Sequence, residues 1–74
     1  MGFQDSFKAL SDPTRREILT LLRAGPLTVG ELLEHFSITG ASLSHHLSIL
    51  RHAGLIDDEK KGKYIFYTLN TTVL

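Results

Sequence analysis

The sequence predicts a mainly α-helical domain that ends in a small β-hairpin, which places it in the α+β class. Apolar residues recur at helical spacing through the first two thirds of the chain, and a run of aromatic and β-branched residues, Tyr64–Leu69, follows near its end. Since 74 residues provide only one small core, we expect residues 1–74 to form a single domain.

An apolar stripe and capping signals delimit the first two predicted helices. The stripe of the first helix consists of Phe3, Phe7 and Leu10. Asp12 can accept a hydrogen bond at the start of the second helix, and Pro13 fits the first turn because its missing N–H is not needed there. We expect this helix to end near Ala24, since Gly25 and Pro26 follow. Its predicted inward residues are Ile18, Leu19, Leu21 and Leu22.

The third and fourth predicted helices form a helix-turn-helix within the block Leu32–Arg51. Thr28 and Glu31 have the spacing of a capping box for the third helix. A tight connection, Ser37–Gly40, leads to the fourth helix, which we expect Thr39 to cap and Gly54 to end. The predicted inward residues are Leu32, Leu33 and Phe36 on the third helix and Leu43, Leu47 and Leu50 on the fourth.

The C-terminal part predicts two strands, Leu55-Ile56 and Tyr64–Leu69, joined across residues 57–63 by a turn that contains Lys61-Gly62. A two-stranded hairpin is marginally stable alone, so it must pack its apolar face on the helices. A hairpin beside a helix-turn-helix is a wing. The full prediction is a winged helix-turn-helix with four helices and a two-stranded wing.

The outer face of the fourth helix carries short polar side chains, which a helix needs if its backbone is to approach base edges in the major groove of double-stranded DNA. The expected contacts at this helix are Thr39, Gly40, Ser42, Ser44, His45, Ser48 and Arg51. The wing lysines Lys60, Lys61 and Lys63 are expected to lie against phosphate. Arg15 and Arg16 fit a phosphate contact and a solvated face of the second helix equally well.

Overall charge does not by itself favour a polyanionic partner, because eight Lys and Arg residues balance eight Asp and Glu residues. The acids cluster at Asp57–Glu59, apart from the basic groups, so one face of the domain can be basic. The sequence has no cysteine, no apolar run of bilayer length and no signal-peptide pattern. We expect a cytoplasmic protein without membrane insertion.

Two adjacent histidines on the fourth helix are expected to have different roles. His45 points nearly opposite Leu43 and Leu47, which favours a base or phosphate contact over a merely solvated side chain. His46 lies beside the apolar stripe, which favours a packed or hydrogen-bonded structural residue, with a phosphate contact as the alternative.

Neither a metal site nor a catalytic site is expected. His45 and His52 share a helix face but are ~10.5 Å apart along the axis, too far for both to bind one zinc ion. Ser44 and His46 point apart at their i, i+2 spacing, and nothing in the sequence supplies an oxyanion hole. We therefore expect no catalytic residues and no cofactor.

Much of the chain resembles the ArsR/SmtB family of bacterial winged-helix repressors. The matching stretches are Phe7–Leu19, Leu43–Ile56 and Lys61–Tyr64. Within them, Asp12-Pro13-Thr14-Arg15 and Ser44-His45-His46-Leu47 are the most specific elements. The ending Tyr67–Leu74 is most similar to the SdpR-type autorepressors of that family.

The resemblance implies a homodimer that binds a palindromic operator and releases it on a signal. Family members dimerise through their first and last helices. Asn70-Thr71-Thr72 resembles the cap of such a last helix and Val73-Leu74 its start, so we expect the chain to stop just before that helix; an ordinary frayed terminus is the alternative. Only the helix of Phe3, Phe7 and Leu10 would then remain, and we expect the dimer to be weak or absent.

Two other functions are considered. The first is a protein-interaction module that uses the apolar first helix to bind a partner. The second is a metal-responsive regulator, which is disfavoured because the family places cysteine ligands at the start of the third helix, where this chain has Glu31–His35, or His and acidic ligands on the last helix, for which it has no residues.

Overall fold

The computed structural model describes residues 3–71, apart from the side chain of Phe3. Within this range four helices are followed by a β-hairpin, so the predicted winged helix-turn-helix is confirmed. The predicted start of a last helix at Val73-Leu74 lies outside the described residues. The elements are α1 (Phe3–Leu10), α2 (Pro13–Leu22), β1 (Leu27–Thr28), α3 (Val29–Leu33), α4 (Gly40–His52), β2 (Ile56–Lys61) and β3 (Tyr64–Leu69).

The predicted capping residues define the starts of α3 and α4. The Thr28 hydroxyl accepts a hydrogen bond from the Glu31 backbone N–H at 3.2 Å, and the Glu31 carboxylate accepts one from the Thr28 N–H at 2.9 Å. The Thr39 hydroxyl accepts from the Ser42 N–H at 3.0 Å. Both caps satisfy backbone donors that the first helical turn leaves unpaired, so the two predictions are confirmed.

Three boundaries differ from the sequence-based expectation. Helix α2 ends at Leu22 instead of near Ala24, and Arg23 is its C-cap. Helix α3 ends at Leu33, so Phe36 packs against the core from the connection rather than from the helix. Gly40 is the first residue of α4 rather than part of the turn. At the ends of α2 and α3 the apolar spacing continues past the helix, so the pattern overestimates these elements, whereas the Thr39 cap makes Gly40 the first helical residue of α4.

The sheet has three antiparallel strands in the order β1-β3-β2. The short strand β1, which pairs Leu27 with Tyr67, was not predicted, because two residues show no periodicity. The expectation of a loop over residues 57–63 is wrong: β2 extends to Lys61, which pairs with Tyr64. The turn between them is Gly62-Lys63, and Gly62 has φ +62°, which fits the glycine position of a type II′ turn.

The core lies between the helices and the inner face of the sheet. Its fully enclosed side chains include Leu43, Leu47 and Leu50, the predicted inward face of α4. Leu19, Leu21, Leu33 and Phe36, also predicted to face inward, are only partly buried against this core. The buried apolar residues are Ala9, Ile18, Leu22, Leu32, Leu43, Leu47, Leu50, Ala53, Leu55 and Ile56.

Between residues 3 and 71, no helix is both long enough and apolar enough to cross a lipid bilayer.

Leu47→Ala is expected to lower the free energy of unfolding by about 2–5 kcal/mol, because it removes a side chain that is 1% exposed at the centre of the α4 core face. Denaturant melts followed by circular dichroism measure this loss. Ser44→Ala, on the exposed side of the same helix, is the control and should leave the midpoint nearly unchanged. Equal stability of the Leu47 variant and the wild type would contradict the assigned helix phase.

Candidate nucleic-acid interface

Helix α4 lies between α1 on one side and the hairpin β2–β3, here called the wing, on the other. Towards α1, an open groove of about 220 Å³ separates the two helices. Its lining residues are Asp5 and Lys8 of α1 and His45, Ser48, Ile49 and His52 of α4. Towards the wing, the Arg51 Nε donates a hydrogen bond to the Asp58 carboxylate of β2. The surface of α4 that remains open is therefore bounded on both sides.

The side of α4 opposite its core leucines is exposed along its length, and we call it the outer face of α4. It consists of Ala41, Ser44, His45, Ser48 and His52. Thr39 and Gly40 are exposed at its N-terminal end, whereas Ser42 is only half-exposed beside it. Ala41 and His52 were not among the predicted contacts, although their helical spacing from Ser44 and Ser48 placed them on the same face.

Arg51 connects this surface to the wing. Its side chain is 62% exposed, so the predicted DNA contact remains accessible. The hydrogen bond to the Asp58 carboxylate raises the pKa of the Arg51 guanidinium above its ordinary value. The guanidinium is therefore a fixed positive charge at the boundary between α4 and the wing.

The three wing lysines are exposed, but they do not share one face of the hairpin. Successive side chains of a strand point to opposite faces, so Lys60 lies on the face of Asp58, which Arg51 reaches from α4. Lys61 lies on the other face, with its Nζ 3.9 Å from the Glu59 carboxylate. Lys63, in the turn, places its Nζ 5.6 Å from the centre of the Tyr64 ring. Lys60 is therefore the wing lysine on the α4 side.

The structure places Arg15 in the interior, so a solvated face, one of the two expected alternatives, is wrong for this residue. The residue is 8% exposed, and its guanidinium donates to the Ala9 carbonyl at 2.9 Å, the Lys8 carbonyl at 2.9 Å and the His46 Nδ1 at 3.1 Å. These contacts use the Nε, Nη1 and Nη2 atoms inside the protein, so we leave Arg15 out of the interface. The helical spacing of Arg15 from the buried Ile18 was the signal that could have revealed this position.

Arg16 lies at the surface, a position that fits both expected alternatives, a phosphate contact and a solvated face. Its Nη1 donates to the carbonyl of Leu10, the last residue of α1, at 2.8 Å. This hydrogen bond holds the side chain against α1 while leaving the residue exposed.

The His46 side chain is 16% exposed and is hydrogen-bonded through Nδ1 to Arg15, which confirms the expected structural role. The same Nδ1 lies 3.9 Å from the carboxylate of Asp12, the N-cap of α2. That carboxylate accepts the Arg15 backbone N–H at 3.0 Å, and this hydrogen bond is the main reason that the pKa of Asp12 is lowered from its ordinary value of 3.8.

Helix α1 exposes two of the three residues predicted to form a dimer interface. Phe7 is 72% exposed and Leu10 is 37% exposed. The side chain of Phe3, the third residue, lies outside the described part of the structure. An exposed phenylalanine of this kind is an unpartnered apolar surface.

Within residues 3–71, no group of three or more His, Asp or Glu side chains has the proximity needed to hold a metal ion.

Comparison with known proteins identifies relatives of the same architecture. The family model described as bacterial regulatory protein, arsR family, matches residues 12–58. The transcriptional repressor SdpR of Bacillus subtilis is 59% identical over 68 residues, which cover 92% of this chain and 76% of SdpR. The arsenical resistance operon repressor of Staphylococcus xylosus is 46% identical over 63 residues, which cover 85% of this chain and 61% of that protein.

Two solved structures superpose closely on this chain. A crystal structure of an ArsR family transcriptional regulator superposes with a TM-score of 0.86 at 35% identity, covering 93% of this chain and 71% of that one. HlyU from Vibrio cholerae superposes with a TM-score of 0.82 at 37% identity, covering 88% of this chain and 71% of HlyU.

Asp12→Asn is expected to make stability less sensitive to acid while keeping the helix cap, because asparagine caps helices as well as aspartate does. The pKa of Asp12 is lower in the folded protein than in the unfolded chain, so its contribution is complete above about pH 4 and is lost as the pH falls through the folded-state pKa. Thermal melts from about pH 6 to about pH 3 should show a smaller loss of melting temperature for the variant. Identical losses would contradict this role of the Asp12 carboxylate.

Proposed function

Because the chain belongs to the arsR family of bacterial regulatory proteins and is a DNA-binding transcriptional repressor of that family, we propose that residues 1–74 act as one domain that inserts α4 into the major groove of its operator. The wing then lies on the adjacent sugar-phosphate backbone. The observation that supports this arrangement is the outer face of α4, which is exposed, carries short side chains and is bounded on one side by a lysine-bearing wing.

The outer face of α4 suits close contact with base edges. A helix of 13 residues is about 20 Å long, and the major groove, about 12 Å wide, admits one helix. Ala41, Ser44 and Ser48 are small enough for the backbone to approach the bases. The larger hydrogen-bonding side chains of this face are His45, which lies among these small residues, and His52, in the last turn of the helix. Few such hydrogen bonds are available, so DNA shape and half-site spacing supply part of the specificity.

Contacts to the sugar-phosphate backbone of the DNA come from the basic side chains at the edge of the outer face of α4. Arg51 and Lys60 lie on the α4 side of the wing, and Lys61 and Lys63 extend the basic surface to its tip. Thr39 and Gly40 present the N-terminal end of α4, whose backbone dipole favours an anion. Arg16 is the remaining exposed arginine of the α2 start and completes the proposed phosphate contacts.

We assign the exposed apolar face of α1 to a second copy of the chain. Phe7 and Leu10 are accessible for this contact. A dimer holds two recognition helices ~34 Å apart, which matches successive major grooves and a palindromic operator. One short helix provides little apolar area, so this contact alone is expected to be weak.

A repressor of this kind acts by occupying DNA in the cytoplasm. The proposal therefore requires no catalytic step and no cofactor.

His45→Ala is expected to weaken binding to a selected operator more than binding to random duplex, because one base contact contributes ~1–3 kcal/mol of discrimination. Selection from a random duplex pool supplies the operator, and fluorescence anisotropy measures both affinities. His35→Ala, an exposed histidine on the connection after α3, is the matched control and should change neither. An equal loss on both duplexes would restrict His45 to a phosphate contact.

Replacing Lys60, Lys61 and Lys63 together by glutamine is expected to weaken binding to all duplexes similarly. The log–log slope of affinity against salt should become shallower by ~0.9 for each lysine that contacts a phosphate. Arg23→Gln, which removes an exposed charge at the end of α2, is the control. An unchanged slope would remove the wing from the DNA, and salt-insensitive binding by the wild type would favour a protein-interaction module instead.

Sedimentation equilibrium of the chain is expected to show a monomer or a weak dimer at micromolar concentration. Phe7→Ser should abolish the remaining association, because it removes the most exposed apolar side chain of α1. A tight dimer at nanomolar concentration that Phe7→Ser leaves intact would contradict the assignment of α1 to the dimer contact.

A further inference from the structure

The buried guanidinium of Arg15 joins helices α1, α2 and α4 at one point. From α2 it donates to the Lys8 and Ala9 carbonyls in the last turn of α1, and its third contact is the Nδ1 of His46 on α4. The sequence indicated no partner for this arginine. The contact with His46 determines the tautomer of a histidine on α4, the proposed recognition helix.

An arginine side chain is always protonated in proteins and has only donors, so the hydrogen bond to His46 requires Nδ1 to be the acceptor. A neutral imidazole with an unprotonated Nδ1 carries its proton on Nε2. Arg15 therefore fixes the Nε2–H tautomer of His46 and holds the ring in one orientation.

The Nε2 atom of His46 reaches the protein surface. Among residues 3–71, no buried side-chain nitrogen or oxygen lacks a hydrogen-bond partner. The His46 side chain is 16% exposed, and its hydrogen bond to Arg15 uses Nδ1. The ring nitrogen on the far side from Arg15 is consequently the one available to solvent or to a ligand.

His46 lies at the flank of α4, between the core leucines and the outer face. The adjacent His45 is on the outer face, and the two ring centres are 6.2 Å apart. When a helix enters the major groove, its outer face meets the bases and its flanks meet the sugar-phosphate backbone. A donor at this flank therefore faces phosphate oxygens rather than base edges.

We propose that Arg15 is a positioning residue that fixes His46 as a neutral Nε2–H donor to a DNA phosphate beside the major groove. The inference rests on the proposed insertion of α4. A neutral donor adds a hydrogen bond to a charged group without releasing a counterion, which distinguishes His46 from the lysines of the wing.

Nitrogen NMR of the histidine rings in the free wild-type chain tests the tautomer directly. We expect a protonated Nε2 and an unprotonated Nδ1 for His46. Arg15→Lys keeps the positive charge but replaces the planar donor fork by a single ammonium group, so its His46 ring should show a mixture of tautomers. A wild-type ring protonated at Nδ1 would overturn the proposal.

Two substitutions of His46 separate the two ring nitrogens. His46→Asn places an amide oxygen near the Nδ1 position, where it can accept from Arg15, but leaves nothing at the Nε2 position. His46→Gln places an amide donor near the Nε2 position but leaves Arg15 without its acceptor. We therefore expect the asparagine variant to keep the melting temperature and the glutamine variant to lower it.

The affinity for DNA is measured for the same two variants, His46→Asn and His46→Gln. His46→Asn should weaken binding to operator and random duplex by the same factor, about tenfold or more, with an unchanged salt slope. His46→Gln should retain most of the affinity at temperatures where it is folded. Wild-type affinity in the asparagine variant, or a shallower salt slope, would overturn this inference alone. A wild-type chain that binds no duplex would overturn the insertion of α4 as well.

Discussion

The buried hydrogen bonds of Arg15 join α4 to α1 and α2. A buried charge is costly unless its donors are satisfied, and here two α1 carbonyls and the Nδ1 of His46 accept from it. Those carbonyls belong to the last turn of α1, where the usual i+4 partners are missing, and the Lys8 carbonyl also accepts from the Ser11 hydroxyl at 2.7 Å. The Arg15 backbone N–H also donates to the Asp12 cap. Arg15 therefore donates hydrogen bonds to the C-terminal carbonyls of α1, to the N-cap of α2 and to His46 at the flank of α4.

The charge distribution explains how a chain with zero net charge can present a DNA-binding surface. Alternation along β2 places Asp58 and Lys60 on the α4 side of the wing and Asp57, Glu59 and Lys61 on the other side, so each face carries both signs of charge. On the α4 side, the carboxylate of Asp58 is paired with Arg51, which leaves Lys60 as a cation at that edge. The favourable field is therefore local, and contacts within a Debye length, about 8 Å at physiological salt, determine the interaction with phosphate.

Sequence reasoning located the helices, their caps at Asp12, Thr28 and Thr39, and the exposed polar face of α4, because each depends on local hydrogen bonds or on helical periodicity. It missed β1, whose pairing with β3 joins distant parts of the chain. It also missed the length of β2, because the charged residues 57–61 show no apolar alternation. It also placed Arg15 at the surface on the basis of residue type. Only the tertiary structure shows which acceptors make burial of that charge possible.

The contact between α4 and the major groove is measured most directly by intermolecular nuclear Overhauser effects in a complex with a duplex half-site. Insertion of α4 predicts contacts from the Ala41 methyl group and the Ser44 and Ser48 methylene protons to cytosine H5 and thymine methyl protons, which line that groove. Contacts from α2 or from the strands to these base protons, with none from α4, would contradict the proposed mode of binding.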